Sequence, residues 1–168
     1  MTVTHVFQPL VAESSPLALF GLPDTPSSQF LMLARQGDAR KLFKVYQTNQ
    51  ENADFNPHIT TPSGLNAVAL AAKGGHLNAM RTAIGLGVSV MQQDYENNVA
   101  MHHAVRSGSL AVVEELIKHY ETLAIRNDDN QTPEDLARML KDDGILKALQ
   151  RGKVALPARP MRSLRDFA

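Results

Sequence analysis

The chain has 168 residues, long enough for one domain with a substantial core or for a short solenoid of about four units. Seventeen basic side chains balance seventeen acidic ones, so no global field recruits nucleic acid or an anionic membrane. The lack of cysteine excludes a disulfide framework and a thiolate metal site, and no apolar run approaches the roughly 20 residues that span a bilayer.

Residues 1–27 carry Pro9, Pro16, Pro23 and Pro26 and read as an extended arm, because each proline disfavours helix in the residue before it. The segment has no basic n-region and makes a poor secretory signal. Its apolar residues, among them Val6, Phe7, Leu19 and Phe20, are too many for a simple linker. They suit either a cap over the first structural unit or a short motif for a partner.

Ser27 or Ser28 is expected to cap a first helix through Phe30, Leu31, Leu33 and Ala34 that ends near Gly37. A second helix from Asp38 places Leu42, Val45 and Tyr46 on one stripe. Asn49 to Ser63, with Pro57 and Pro62, reads as a lengthened polar loop. The run Gly64 to Leu77 then returns, 33 residues on, as Asn97 to Leu110, and again in part as Asn130 to Ala137. A fixed period of this length marks stacked repeats. In each copy a short first helix with small residues (Ala67, Ala69, Ala71, Ala72; then Ala100, Ala104) ends at Gly75 or Gly108. The second helices are expected to bury Leu77, Met80, Ala83 and Ile84, then Leu110, Val113, Leu116 and Ile117. Gly87 ends the first of them, and Val88 to Glu96 reads as an outward loop or hairpin. In the last copy Thr132 and Pro133 open a helix through Leu136, Ala137 and Leu140, and Ile145, Leu146 and Leu149 refill the core slots. Lys141 stands where Gly75 and Gly108 stood, so a different turn is expected there. Residues 152–168 read as a basic tail, either solvated or docking through Met161, Leu164 and Phe167.

Residues 28–151 resemble the ankyrin repeat, in four units of which the first and last are atypical. The fragments that carry the resemblance are Ala71 to Leu77, Met101-His102-His103-Ala104 and Thr132 to Ala137. The family's Thr-Pro-Leu-His opening is complete in no unit; Asn66 to Ala69 and Val99 to His102 replace it. The resemblance implies an all-α solenoid of helix pairs with projecting hairpin loops and an extended concave surface. It also implies the variable surface slots: Leu65, Lys73 and Gly74; then Tyr95, Glu96, Asn98, Arg106 and Ser107; then Asp128, Asp129, Gln131 and Met139.

No catalytic reading finds residues to stand on. His102 and His103 are adjacent on a helix, point about 100 degrees apart and share no ligand, and His102 falls in the family's structural histidine slot. Asp128-Asp129 and Asp142-Asp143 read as helix-flanking, solvated pairs. There is no phosphate loop, nucleophile elbow or zinc spacing, so no catalytic residue, metal or cofactor is expected. Tyr95 is an aromatic at a polar loop tip: it lies back on its own hairpin or anchors a partner, with Arg106 beside it. The expectation is a non-catalytic adaptor or inhibitor that binds one protein partner, of unknown identity, through its concave face. The alternatives are a bacterial effector that occupies a host protein and a regulatory subunit that completes a partner enzyme's site. A monomer is favoured, located in the cytoplasm of the producing cell or translocated into a host; nucleic-acid binding would rest on the arginine tail alone.

Overall fold

The computed structural model describes residues 22–154, and the expectations for residues 1–21 and 155–168 lie outside them. Within the described residues the chain forms eight α-helices and no strand: α1 (Pro26–Gln36), α2 (Ala39–Asn49), α3 (Ala67–Lys73), α4 (Leu77–Gly85), α5 (Ala100–Arg106), α6 (Leu110–Leu116), α7 (Pro133–Met139) and α8 (Asp143–Val154). A 3-10 turn, Tyr120–Ala124, follows α6. The first helices α1, α3, α5 and α7 pack in one row and the second helices α2, α4, α6 and α8 in another. This is the all-α solenoid that the resemblance implies, stacked at the 33-residue period.

The small residues explain the close stacking of the first row. Ala67, Ala71, Ala72 and Ala104 are fully buried, and Ala69 and Ala100 nearly so. Larger side chains close the spaces between the rows: Phe30, Leu42, Val68, Met80, Met101, Leu116, Ile145 and Leu149 are buried in one continuous core. Burying a side chain of this size stabilises the fold by about 1.5–3 kcal/mol each.

Three local expectations change. The cap of α1 is Thr25, whose Oγ1 accepts from Ser28 N at 3.2 Å, with Pro26 in the first turn; Ser27 and Ser28 are buried inside the helix. Leu110 is 40% exposed rather than buried, because Val112, Val113 and Leu116 take the inward face of α6. Lys141 does not change the turn: its φ of 57° follows 80° at Gly37, 72° at Gly75 and 70° at Gly108. The left-handed backbone is kept although a side chain has replaced the glycine, and the strain falls on Lys141.

The loop after α2 is less polar in its packing than in its composition. Phe55 and Ile59 pack against the core, and the Phe55 ring meets Phe30 edge-on at 6.0 Å and Tyr46 at 5.9 Å. Asn56 N donates to Ser27 Oγ at 2.8 Å, which fastens the loop to α1. At the other end α8 runs through Val154, so the expected boundary at 151 falls inside a helix, with Gly152 buried against Ile117.

Candidate partner-binding surface

The hairpins between helix pairs are built on three equivalent residues, Thr61, Asp94 and Asn127, each 33 residues apart. Each donates its N–H to the carbonyl four residues on: Thr61 to Leu65 at 2.9 Å, Asp94 to Asn98 at 3.0 Å and Asn127 to Gln131 at 3.1 Å. Each side-chain oxygen accepts the returning N–H, from Leu65 at 3.1 Å, Asn98 at 2.8 Å and Gln131 at 2.9 Å. The third residue after each is left-handed: Gly64 (84°), Asn97 (57°) and Asn130 (60°). Neighbouring hairpins are then joined along the backbone. Tyr95 N donates to Ser63 O at 3.2 Å, and one period later Asp128 N donates to Glu96 O at 3.0 Å. Thr61, Asp94 and Asn127 have three different side chains, so their shared role is hidden in the sequence except as their spacing.

The histidine pair divides its work. His102 Nδ1 accepts from Val99 N at 3.2 Å and its Nε2–H donates to Gln131 O at 3.1 Å, tying α5 to the next hairpin. Val99 has no side-chain oxygen to cap α5, and His102 supplies half of the reciprocal bonding that Thr132 and Asp135 complete at α7. His103 turns the other way, and its Nε2 sits 2.9 Å from Asp94 Oδ2, both side chains almost fully buried. Burial holds both histidines below their ordinary pKa of 6.5; for His103 it outweighs the pull of Asp94 and is reinforced by Lys73 and Arg106. Burial would raise Asp94, but the N–H groups of Asn98 and Glu96 and the nearby His103 together hold it below 3.8. Among the described residues no group of three or more His, Cys, Asp or Glu side chains is placed to hold a metal ion.

The hairpins and the first-helix row enclose two adjoining grooves. One, of about 520 Å³, is lined by Ser63, Leu65, Lys73, Tyr95, Glu96, Arg106 and Ser107 over a floor of Asp94 and His103. The other, of about 410 Å³, shares Ser63, Leu65 and Lys73 and continues to Arg35, Leu31 and Thr61, with Gly74 on its wall. Six of the slots implied by the resemblance therefore meet in a single groove: Leu65, Lys73, Tyr95, Glu96, Arg106 and Ser107. Tyr95 is 76% exposed and does not lie back on its own hairpin. Its base rests beside the preceding one, where a Cβ on Gly64 would come within 3.1 Å of Tyr95 Cδ1. Glu96 reaches Arg106 only at 4.0 Å, an exposed and loose pair.

The remaining slots lie elsewhere. Asn98 is fully buried, where its Nδ2 donates to Asp94 and Glu96 and its Oδ1 accepts from Asn127 Nδ2 at 3.1 Å; it joins hairpins and is no surface position. Of the six in the groove, Leu65 is only 7% exposed and contributes a wall. Asp128 and Asp129 are exposed at the last hairpin tip rather than beside a helix start, with Asp128 Oδ1 accepting from Asn97 Nδ2 at 2.5 Å. Gln131 Nε2 lies 3.4 Å from Met139 Sδ, in the fourth unit. Sequence reasoning missed Ser63, Asp94 and His103, which become part of the groove only through the hairpin and the His103–Asp94 hydrogen bond.

No helix among the described residues is long and apolar enough to cross a membrane. No curated protein sequence matches the chain. The family model for ankyrin repeats, in three copies, matches residues 30–129, more than half of the chain, and the α7–α8 pair adds a fourth helix pair beyond it. Ankyrin repeats are in general protein–protein interaction modules and in general non-catalytic. With the period, the paired helix rows, the three matching hairpins and this match in agreement, the chain belongs to the ankyrin-repeat family.

Proposed function

We propose that the chain is a non-catalytic adaptor or inhibitor that grips one partner protein through the concave groove between its hairpins and first helices. One observation carries this reading: Tyr95 stands 76% exposed on the rim of a groove that also holds Lys73, Glu96, Arg106 and Ser107 from two successive repeats. A tyrosine beside an arginine over a partly apolar groove has the composition of an interface anchor. The side chains that fix this arrangement, Asp94, Asn98 and His102, are occupied with holding hairpins and helices together. On the rim, Glu96 accepts from Asn98 and Ser107 donates to the α5 backbone, whereas Tyr95 and Lys73 extend from the surface and Arg106 meets Glu96 only loosely. The reading places the work in the cytoplasm, on the helical region that ends with α8 at Val154, and with a monomer as the binding unit.

The test is capture from a lysate of the source organism with wild-type protein and with the Tyr95→Ala, Arg106→Ala double variant, each shown to be folded by far-UV circular dichroism. Loss of the dominant captured protein with the double variant supports the groove. Retention by that variant, with loss on deletion of residues 155–168, assigns binding to the tail instead.

A further inference from the structure

The four inter-helix turns share a left-handed residue, at Gly37, Gly75, Gly108 and Lys141. Two positions before these stand Arg35, Lys73, Arg106 and Met139, so three successive repeats present a cation at one geometric slot. All three cations are exposed and face the two adjoining grooves: Arg35 and Lys73 bound one, Lys73 and Arg106 bound the other. No carboxylate lies within 4 Å of Lys73 among the described residues, whereas Arg81, Lys118, Arg138 and Lys153 on other faces are paired. The helix C-termini give one reason for a cation in a last turn, yet α7 places Met139 at this slot and its basic residue one position earlier, at Arg138, paired with Glu134.

The groove's own carboxylates do not neutralise Lys73 and Arg106. Asp94 is used by the hairpin and His103, and Glu96 touches Arg106 only at 4.0 Å while 75% of its side chain is exposed. The charges of Lys73 and Arg106 also reach the groove floor, where both help to keep His103 neutral.

Resting on the interaction reading above, we infer that the groove takes an extended acidic segment of the partner protein, with carboxylates set against Lys73 and Arg106 of successive repeats. Packed helices lie about 8–10 Å apart and an extended chain rises about 3.3 Å per residue. Carboxylates at roughly every third residue would therefore match this pair. Tyr95 and the Leu65 wall accept the apolar parts of the segment, and Glu96 swings away from Arg106 when a partner carboxylate takes its place.

The experiment is fluorescence anisotropy with labelled peptides of about twelve residues, carrying Glu at every third position or Lys at the same positions, and with a single-stranded oligonucleotide of equal negative charge. The expected result is that the Glu peptide binds at least about tenfold more tightly than the Lys peptide. Its affinity falls as salt rises from about 50 mM to about 300 mM. Lys73→Glu with Arg106→Glu removes the preference, and Glu96→Gln strengthens binding of the Glu peptide about two- to threefold. If the charge-reversed pair does not fold, Lys73→Gln with Arg106→Gln makes the same comparison. Equal binding of the two peptides, tighter binding of the oligonucleotide, or a preference that survives in a folded charge variant overturns the inference. If the peptides are not distinguished while the Tyr95→Ala, Arg106→Ala variant still loses its captured protein, the interaction reading stands and only the acidic chemistry falls.

Discussion

His103 Nε2 lies 2.9 Å from Asp94 Oδ2, a contact that joins the last turns of α5 to the hairpin carrying Tyr95. Asp94 also accepts from Asn98 N at 2.8 Å and Glu96 N at 3.0 Å. One carboxylate thus sets the hairpin's shape and its seat on the helix row. Replacing it with alanine leaves buried donors unmet, and Asp94→Ala is expected to cost about 2–4 kcal/mol in urea denaturation. Asp94→Asn should cost only about 1 kcal/mol, because Asn127 holds the next hairpin through its Oδ1 at the equivalent position. Equal losses for the two substitutions would show that the charge, and not the hydrogen-bond pattern, dominates.

Acid should weaken the fold through the two histidines. Burial lowers the pKa of both His102 and His103 in the folded chain, so the unfolded chain binds more protons between those values and 6.5. Their contribution is complete above about 6.5 and is lost as pH falls through the folded values. Protonation of His102 at Nδ1 also removes the acceptor for Val99 N. Thermal melts from pH 7.5 down to 5.5 are expected to show a falling Tm, and His103→Gln should make that dependence shallower. A Tm independent of pH in this range would contradict the assignment of neutral, buried histidines.

The left-handed Lys141 is the one inter-helix turn without glycine. Lys141→Gly should stabilise the protein by about 0.5–1 kcal/mol, the strain of a side chain there less the entropy cost of glycine. Gly108→Lys at the equivalent turn should shift the urea midpoint the opposite way.

Phe55 closes an aromatic cluster with Phe30 and Tyr46. Phe55→Ala is expected to cost about 2–3 kcal/mol, below the range for a fully buried phenylalanine because the side chain is only partly covered. Unfolding monitored by urea denaturation checks the figure; a loss under about 0.5 kcal/mol would show that the loop does not pack as described.

The scaffold was legible in the sequence because its residues repeat by type: alanines where helices touch, glycines where the backbone turns, and apolar side chains at the spacing of a buried helix face. Lys141 shows the limit of that logic, since the same left-handed turn, closed by Asp142 N to Ala137 O, forms on a non-glycine residue. Phe55 lay unseen in a polar loop because its partners, Phe30 on α1 and Tyr46 on α2, bring it inward. The hairpins were hidden for another reason. Threonine, aspartate and asparagine each offer one oxygen to the same N–H position, so chemically different residues at 61, 94 and 127 make one structure. Of the surface slots, Asn98 was misread because its amide is buried between hairpins, whereas Lys73, Tyr95 and Arg106 reach the groove as the resemblance implied.

The most direct measurement is hydrogen–deuterium exchange on the captured complex, read against the free protein. The account predicts new protection around residues 63–65, 73–74, 95–96 and 106–107, with the outward faces of α4 and α6 unchanged. Protection confined to α4, α6 and α8, with the Tyr95 hairpin exchanging as in the free protein, would contradict it.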